Sequence, residues 1–539
     1  MGTPIAVSGL AYAHPGGEEL FADVSFKVPA GGHAGLVGAN GVGKSTLLRM
    51  LAGELPAVAG AASLGGRALR MAQDVGSGGG TVRELLLAVA PARIRDAGLR
   101  VLKAERGLAA GDPDAGMDLG EAIGTWSELG GYELEGAWDA ACRRIVRAGL
   151  ADVGDREATQ LSGGERKQLV LEVLFASDAD VLLLDEPDNF LDVPAKRALE
   201  ERIRATRKTI LLISHDRELL RAACDSIVTL EGRGAWVHGG SYATYPEARE
   251  HRRELMGDRV TRWHEEEKRL RELVRTFKER AQYSSDWAKR ANAMESRRQR
   301  WADEGAPPAP VVDHPIRVRL RGGDSARRVV DLRGVAIPGI VRRFSDEVHL
   351  GERVGLIGPN GSGKTHLMRL LAGEDVPHEG AVVLGNRVSP GLFTQLNARE
   401  EFAGGGVLEL VMRRTGAREP AMSALARYGL QDAAPRSYET LSGGQRARLE
   451  ILTLEVEGHN LLLLDEPTDN LDIESSEALE AALDGFDGTV VAVSHDRAFL
   501  HALDRFLHVG HDGRVTALAD ARAALEALGA GAAERAAPA

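Results

Sequence analysis

Cysteine is nearly absent: Cys142 and Cys224 are the only two in 539 residues. A zinc or iron–sulfur site built from cysteine is therefore excluded, and the scarcity suits a reducing compartment. Long apolar runs are also missing. None approaches the ~18 residues that span a bilayer, so no membrane helix is expected. The opening Met1-Gly2-Thr3-Pro4 has no basic stretch followed by an apolar one, and no secretory signal is expected there. Excess positive charge is lacking too. A net charge of −12 repels nucleic acid, so any such contact needs a local basic patch. With 27% charged and 43% hydrophobic residues, the chain reads as soluble and globular, with several domains that each hold a core.

Four motifs occur twice, in the same order. Gly38-Ala39-Asn40-Gly41-Val42-Gly43-Lys44-Ser45 recurs as Gly358-Pro359-Asn360-Gly361-Ser362-Gly363-Lys364-Thr365. Leu161-Ser162-Gly163-Gly164-Glu165 recurs as Leu441-Ser442-Gly443-Gly444-Gln445. An apolar run ending in Asp185-Glu186-Pro187 recurs before Asp465-Glu466-Pro467, and Ser214-His215-Asp216 recurs as Ser494-His495-Asp496.

The first pair has the context of a phosphate loop. Short apolar strands precede both copies, and an apolar helix beginning at Ser45-Thr46 follows the first. Glycines let backbone N–H groups turn inward around phosphates at a helix N-terminus. Lys44 and Lys364 should reach the β/γ-phosphates, and Ser45 and Thr365 should ligate Mg²⁺. Asp185 and Asp465 leave the C-terminal ends of buried strands, where open α/β sheets place ligands, and are assigned to the same ion. Glu186 and Glu466 follow directly, placed to polarise an attacking water beside the γ-phosphate. The expected activity is ATP hydrolysis, with ATP and Mg²⁺ at two sites.

Spacing divides the chain. Lys44 and Lys364 lie 320 residues apart, but Asp185 and Asp465 only 280. The first copy therefore carries extra residues, placed at about 92–138. The fold class expected is α/β: two P-loop ATPase domains joined by a charged α-helical hairpin. Domain 1 covers 1–240, the linker 241–325 and domain 2 326–518, with an Ala-rich tail at 519–539. In the linker, Val260, Trp263, Leu270, Val274 and Phe277 recur at helical steps, as do Trp287, Ala291, Met294 and Trp301. The turn is expected at Gln282–Asp286, with Asp286 as helix cap.

The Leu-Ser-Gly-Gly-Glu/Gln loop upstream of the Asp-Glu strand resembles the signature loop of ATP-binding-cassette (ABC) ATPases. In that family two cassettes face head to tail. The resemblance implies that Ser162, Gly163 and Gly164 cap the ATP held by Lys364, and that Ser442, Gly443 and Gly444 cap the ATP held by Lys44. Gln73 and Gln395 match the family's glutamine loop, which also contacts Mg²⁺. His215 and His495 match its switch histidine, a catalytic group, and Asp192 and Asp472 its contact aspartate. Tyr12 is placed to stack on adenine; the second cassette has Ile337 there. Asp188 and Phe190 depart from the usual Thr and His.

Two fused cassettes joined by a charged hairpin, with no membrane domain, resemble the ABC-F family of ribosome-associated ATPases over almost the whole chain. That resemblance implies a cytoplasmic monomer whose cassettes pair within one chain. Its hairpin would contact rRNA and tRNA, and the insertion would form the family's arm. The charge agrees: Lys268 to Trp301 holds eleven basic and four acidic residues. Such a patch suits RNA phosphates, with Tyr283 and Trp287 near the tip able to stack on bases. Translation factor and antibiotic-resistance protein both remain open, and the competing reading is a transporter motor with separate membrane subunits.

Overall fold

The computed structural model describes residues 4–14, 16–17, 19–76, 79–112, 114–281, 285–307, 309, 316–393, 402, 404–469 and 471–536, without the side chains of 285 and 530–536. The chain forms two units: Met1–Gly239 with His314–Ala539, and Gly240–Asp313. Gln395 and residues 282–284 of the expected hairpin turn, Tyr283 among them, lie outside the described residues.

The larger unit contains two cassettes. In the first, parallel strands Ala68–Met71, Val181–Asp185, Thr209–Ile213, His33–Val37 and Ser226–Glu231 lie side by side in that order. The three central ones are buried at every residue, which is why Val181–Asp185 and Thr209–Ile213 are dominated by consecutive Leu, Ile and Val rather than alternating. Antiparallel strands Ile5–Ala13, Glu19–Val28 and Ala59–Leu64 continue the sheet through Gly234–His238. The second cassette repeats this order with Pro390–Phe393, Leu461–Asp465, Thr489–Val493, Arg353–Ile357 and Arg505–Val509. Each phosphate loop leaves the carboxyl end of a central strand and enters a helix, Lys44–Leu51 or Lys364–Leu371. That is where open α/β sheets form their ligand crevice.

The extra residues of the first cassette form two helices, Ala92–Ala109 and Ala115–Glu128. Trp126 and Trp138 anchor them, both buried, with ring centroids 6.2 Å apart. Gly131 sits under the Trp126 ring, where a Cβ would approach to 2.1 Å. The core of the second cassette extends past 326–518 in both directions. Ile316 joins it from one side, and Ala524 and Leu528 of the helix Ala521–Ala536 from the other. Their apolar side chains are buried there, so these flanks are not wholly linker or tail.

The smaller unit is the helical hairpin, Tyr245–Arg280 and Ser285–Glu304. Its seam is thin: Leu270, Val274 and Ala291 are buried. Trp263 stacks with Trp301 at 6.5 Å, and Phe277 meets Trp287 at 5.5 Å, which sets the helices antiparallel. Lys278 and Glu295 pair across the seam at 2.9 Å. One expectation changes here. The second helix already begins at Ser285, so Asp286 lies in its first turn rather than at its cap, where its charge still suits the helix dipole. Trp287 packs on Phe277, with the Arg280 and Arg290 guanidinium groups 5.1 and 4.9 Å from its ring centre. Among the described residues no helix is long and apolar enough to cross a membrane.

Both cysteines are buried. Burial and then Asp139 push the Cys142 thiol up to about 11, and burial with Asp225 pushes Cys224 up as well. The thiolate is the reactive form, and at pH 8 a thiol with a pKa near 11 is ionised to about one part in a thousand. The native chain should resist an aromatic disulfide reagent at pH 8, while the denatured chain releases two equivalents. Rapid labelling of the native chain would contradict this burial.

Candidate active sites between the cassettes

Lys44 folds back into its own loop, its Nζ donating to the carbonyls of Gly38 at 2.6 Å and Ala39 at 3.1 Å. Lys364 does the same to Gly358 and Pro359, both at 2.9 Å. Burial lowers the pKa of each lysine, opposed by nearby carboxylates. The loop glycines are needed for their backbone. Gly38 and Gly358 take φ 147° and 152°, and a Cβ would lie 2.4 or 2.3 Å from a strand carbonyl.

Ser45 Oγ donates to Asp185 Oδ1 at 3.2 Å, and Thr365 Oγ1 to Asp465 Oδ2 at 2.9 Å. Helix and strand thus present one hydroxyl and one carboxylate oxygen together at each site. Hard oxygen donors of this kind fit Mg²⁺. Burial raises both aspartates above the ordinary carboxylate range.

Glu186 and Glu466 occupy left-handed backbone, φ 48° and 52°. Non-glycine residues there are strained, and such strain gathers at functional sites. Glu186 accepts hydrogen bonds from Gln73 Nε2 at 2.7 Å and Asn189 Nδ2 at 2.5 Å. Gln73 thus touches the glutamate. Glu466 accepts from the His495 backbone N–H at 2.9 Å. Burial, with Asp185 and Asp188, pushes Glu186 up to about 7; burial, with Asp469 and Asp465, pushes Glu466 up to about 8. His215 Nε2 lies 3.8 Å from Glu186, and His495 Nε2 3.6 Å from Glu466. Burial and the Lys44 charge push His215 down to about 3, so it is a neutral imidazole. Neither of its ring nitrogens has a hydrogen-bond partner among the described residues, which suits an incoming polar group.

Each cavity is shared. One of about 310 Å³ brings Asn40, Gly41, Gly43, Lys44, Ser45, Thr46, Gln73 and Glu186 together with Ser442, Gly443 and Gly444 of the facing cassette. The other, about 410 Å³, joins Asn360, Gly361, Gly363, Lys364, Thr365, Asp465, Glu466 and His495 to Ser162, Gly163 and Gly164. Both serines are helix caps, their hydroxyls accepting from the backbone of Glu165 and Gln445. The N–H groups that open these helices have no partner within the helix and suit phosphate oxygens.

Charges cross the interface beside these cavities. Asp472 accepts the backbone N–H of Asn40 at 3.3 Å. Arg217 pairs with Glu480, and Arg497 with Glu200 and, at 3.5 Å, Asp216.

The aromatic side chain at the mouth of the Lys44 cavity is not the one the sequence suggests. Tyr12 lies partly buried against the core, 6.3 Å from Phe21, with its ring edge-on to His14 at 5.5 Å. His14 is the aromatic residue that lines the Lys44 cavity. Ile337 is buried in the second core, and Ile340 lines the Lys364 cavity instead. The hairpin turn between the first two strands of each cassette, rather than the strand itself, carries the side chain to the mouth. Sequence reading also missed Asn189 and the crossing arginines. A signal existed for the latter: Arg217 and Arg497, like Glu200 and Glu480, repeat at the motif spacing of 280.

The family model described as "ABC transporter" matches residues 21–189 and 341–469. An "Antibiotic resistance protein" of Mycobacteroides abscessus is 42% identical over 95% of this chain and 98% of its own length. The "Tylosin resistance ATP-binding protein TlrC" of Streptomyces fradiae is 32% identical over 89% of this chain and 92% of its own. Human "ATP-binding cassette sub-family F member 3" is 31% identical over 93% and 70%. Among solved structures, a "Model of ribosome-bound archaeal Pelota and ABCE1" matches with TM-score 0.57 and 22% identity, covering 95% of this chain and 78% of that one. At that identity the likeness concerns fold alone.

Arg497→Ala would leave Glu200 and Asp216 buried without their guanidinium. The expected loss is about 3–5 kcal/mol of stability at the interface, read by denaturant unfolding. Arg217→Ala should cost less, because Glu477 beside it is half exposed. Equal, small effects would show that these pairs do not hold the cassettes together.

Proposed function

The chain belongs to the F subfamily of ATP-binding-cassette ATPases, and from that membership we propose that it acts on the ribosome, where ATP-gated binding protects translation against ribosome-targeting antibiotics. The observation that carries this reading is a basic hairpin that lies in sequence between two cassettes, each with a phosphate loop, an Asp-Glu strand end and a switch histidine. Eleven cations against four acids between Lys268 and Trp301 suit rRNA and tRNA phosphates in a chain whose net charge is otherwise negative. The resistance outcome is supported by the two full-length relatives named for antibiotic and tylosin resistance. The chain is proposed to work as a cytoplasmic monomer, its cassettes pairing with each other.

In this reading Lys44 and Lys364, with the loop N–H groups of Gly38 to Ser45 and Gly358 to Thr365, hold the phosphates of ATP. His14 contacts the base at the first site in place of Tyr12. Ser45 and Asp185, and Thr365 and Asp465, would hold magnesium, with Gln73 and Gln395 as further ligands. Bound there, Mg²⁺ would neutralise charge on the β- and γ-phosphates. Glu186 and Glu466 orient and polarise the attacking water, each beside its neutral switch histidine, His215 or His495. Ser162, Gly163 and Gly164, and Ser442, Gly443 and Gly444, close each site from the facing cassette. Each nucleotide would thus lie between the phosphate loop of one cassette and the signature loop of the other and bridge them, which ties the hairpin's ribosome-binding state to ATP.

Glu186→Gln/Glu466→Gln removes both water-polarising carboxylates and leaves the phosphate loops intact. This chain should co-sediment with 70S ribosomes in ATP and Mg²⁺ and fail to do so without nucleotide. No capture in any nucleotide would favour a transporter motor with separate membrane subunits. Expressed in a sensitive host, the wild-type chain should raise the inhibitory concentration of tylosin severalfold, and the double variant should not. Capture without any change in sensitivity to tylosin or other ribosome-targeting drugs would leave a translation factor as the function.

A further inference from the structure

The two cassettes match closely at their interface. Asp192, Glu200, His215, Asp216 and Arg217 each recur identically 280 residues later. Against that match, two buried neighbours differ in charge. Asp188 and Lys196 of the first cassette stand where the second has Thr468 and Ser476. All four are buried, the lysine at 8% exposure. A buried ammonium is costly unless paired, so its partners matter.

Lys196 Nζ lies 3.1 Å from Asp216 Oδ2 in its own cassette and donates to the backbone carbonyl of His495 in the other at 3.2 Å. Burial opposes its charge, but Asp216, Asp188, Asp496 and Asp469 outweigh that and hold it above the ordinary lysine range. Both Lys196 and Asp188 line the Lys364 cavity. The residue that Lys196 grips is the pivot of that site: the His495 N–H is bonded to Glu466, and its Nε2 lies 3.2 Å from Asn360 Oδ1 in the phosphate loop. At the Lys44 site the equivalent position, Ser476, has a hydroxyl too short to reach a carbonyl in this way.

We propose that Lys196, paired with Asp216 of its own cassette, is a positioning residue for hydrolysis at the Lys364 site, fixing His495 and Glu466 from across the interface, and that the two ATP sites are thereby inequivalent. The inference rests on the site roles proposed above. Through Asp216, the same ammonium ties the Lys364 site to the turn that bears His215. The rate at the Lys364 site thus depends on the arrangement of the Lys44 site.

The test uses two full-length single-site chains in single turnover, counting ADP formed per chain. With Glu186→Gln only the Lys364 site reports; with Glu466→Gln only the Lys44 site does. Asp188→Thr/Lys196→Ser is added to each, copying the second cassette at both positions; Asp216, which loses the ammonium, keeps Arg497 at 3.5 Å. The Lys364 site should slow by about tenfold or more, as small misplacements of reacting groups do. The Lys44 site should slow clearly less than the Lys364 site, because there the variant alters charge near Glu186 and Asp216 but removes no hydrogen bond to the backbone of its switch histidine. Lys196→Arg, which keeps a cation, should recover part of the Lys364 rate. Equal slowing of both sites, with a lowered melting temperature, would mean that the pair only holds the interface and would overturn the proposal. No slowing at either site would also overturn it. Failure of Glu466→Gln itself to silence the Lys364 site would instead overturn the site roles.

Discussion

Arg497 and Arg217 each leave their own cassette to meet carboxylates of the other, and both cavities depend on the alignment that these contacts set. Each site owns only part of its lining; the signature serine and glycines arrive from across the interface. Buried charges tolerate little misalignment, because a separated guanidinium or carboxylate has no water to replace its partner. The crossing pairs therefore act as a register mark. They favour one face-to-face arrangement of two similar domains, and in that arrangement both cavities are complete.

The buried charge has a second role within each site. Glutamates pushed up toward neutrality and histidines kept neutral both follow from burial against the central strands. The cassettes thus create an environment in which a carboxylate sits poorly solvated beside the phosphate loop. A carboxylate in that setting is a better acceptor for a water proton than one in bulk solvent.

Much of this was readable in the chain. Glycine spacing, the leucine runs ending in Asp-Glu, and repetition at fixed offsets were enough to place the strands and loops, because each motif is local and its geometry is dictated by a few residues. What escaped reading depends on non-local approach. Tyr12 was the obvious aromatic, yet irregular pairing along Ile5–Ala13 leaves it partly buried beside Phe21, while His14, just beyond the strand, reaches the cavity. Trp287 seemed free to meet a partner, but Phe277 on the other helix takes one side of it. The left-handed backbone of Glu186 and Glu466 has no composition signal, since it arises where a strand turns sharply after its last ladder bond. The contact of Lys196 with a carbonyl almost 300 residues away is of the same non-local kind.

That left-handed backbone narrows how such a domain can change over evolutionary time. A β-branched residue at either glutamate position would meet steric conflict in its own main chain. Asparagine, aspartate and glycine accept the conformation more readily. Divergence at these two positions is thus channelled by backbone shape before chemistry is considered. A descendant that abandoned turnover at one site yet kept its fold would be expected to carry a short polar residue or glycine there. Silent sites in this lineage would then bear a recognisable scar rather than a random substitution.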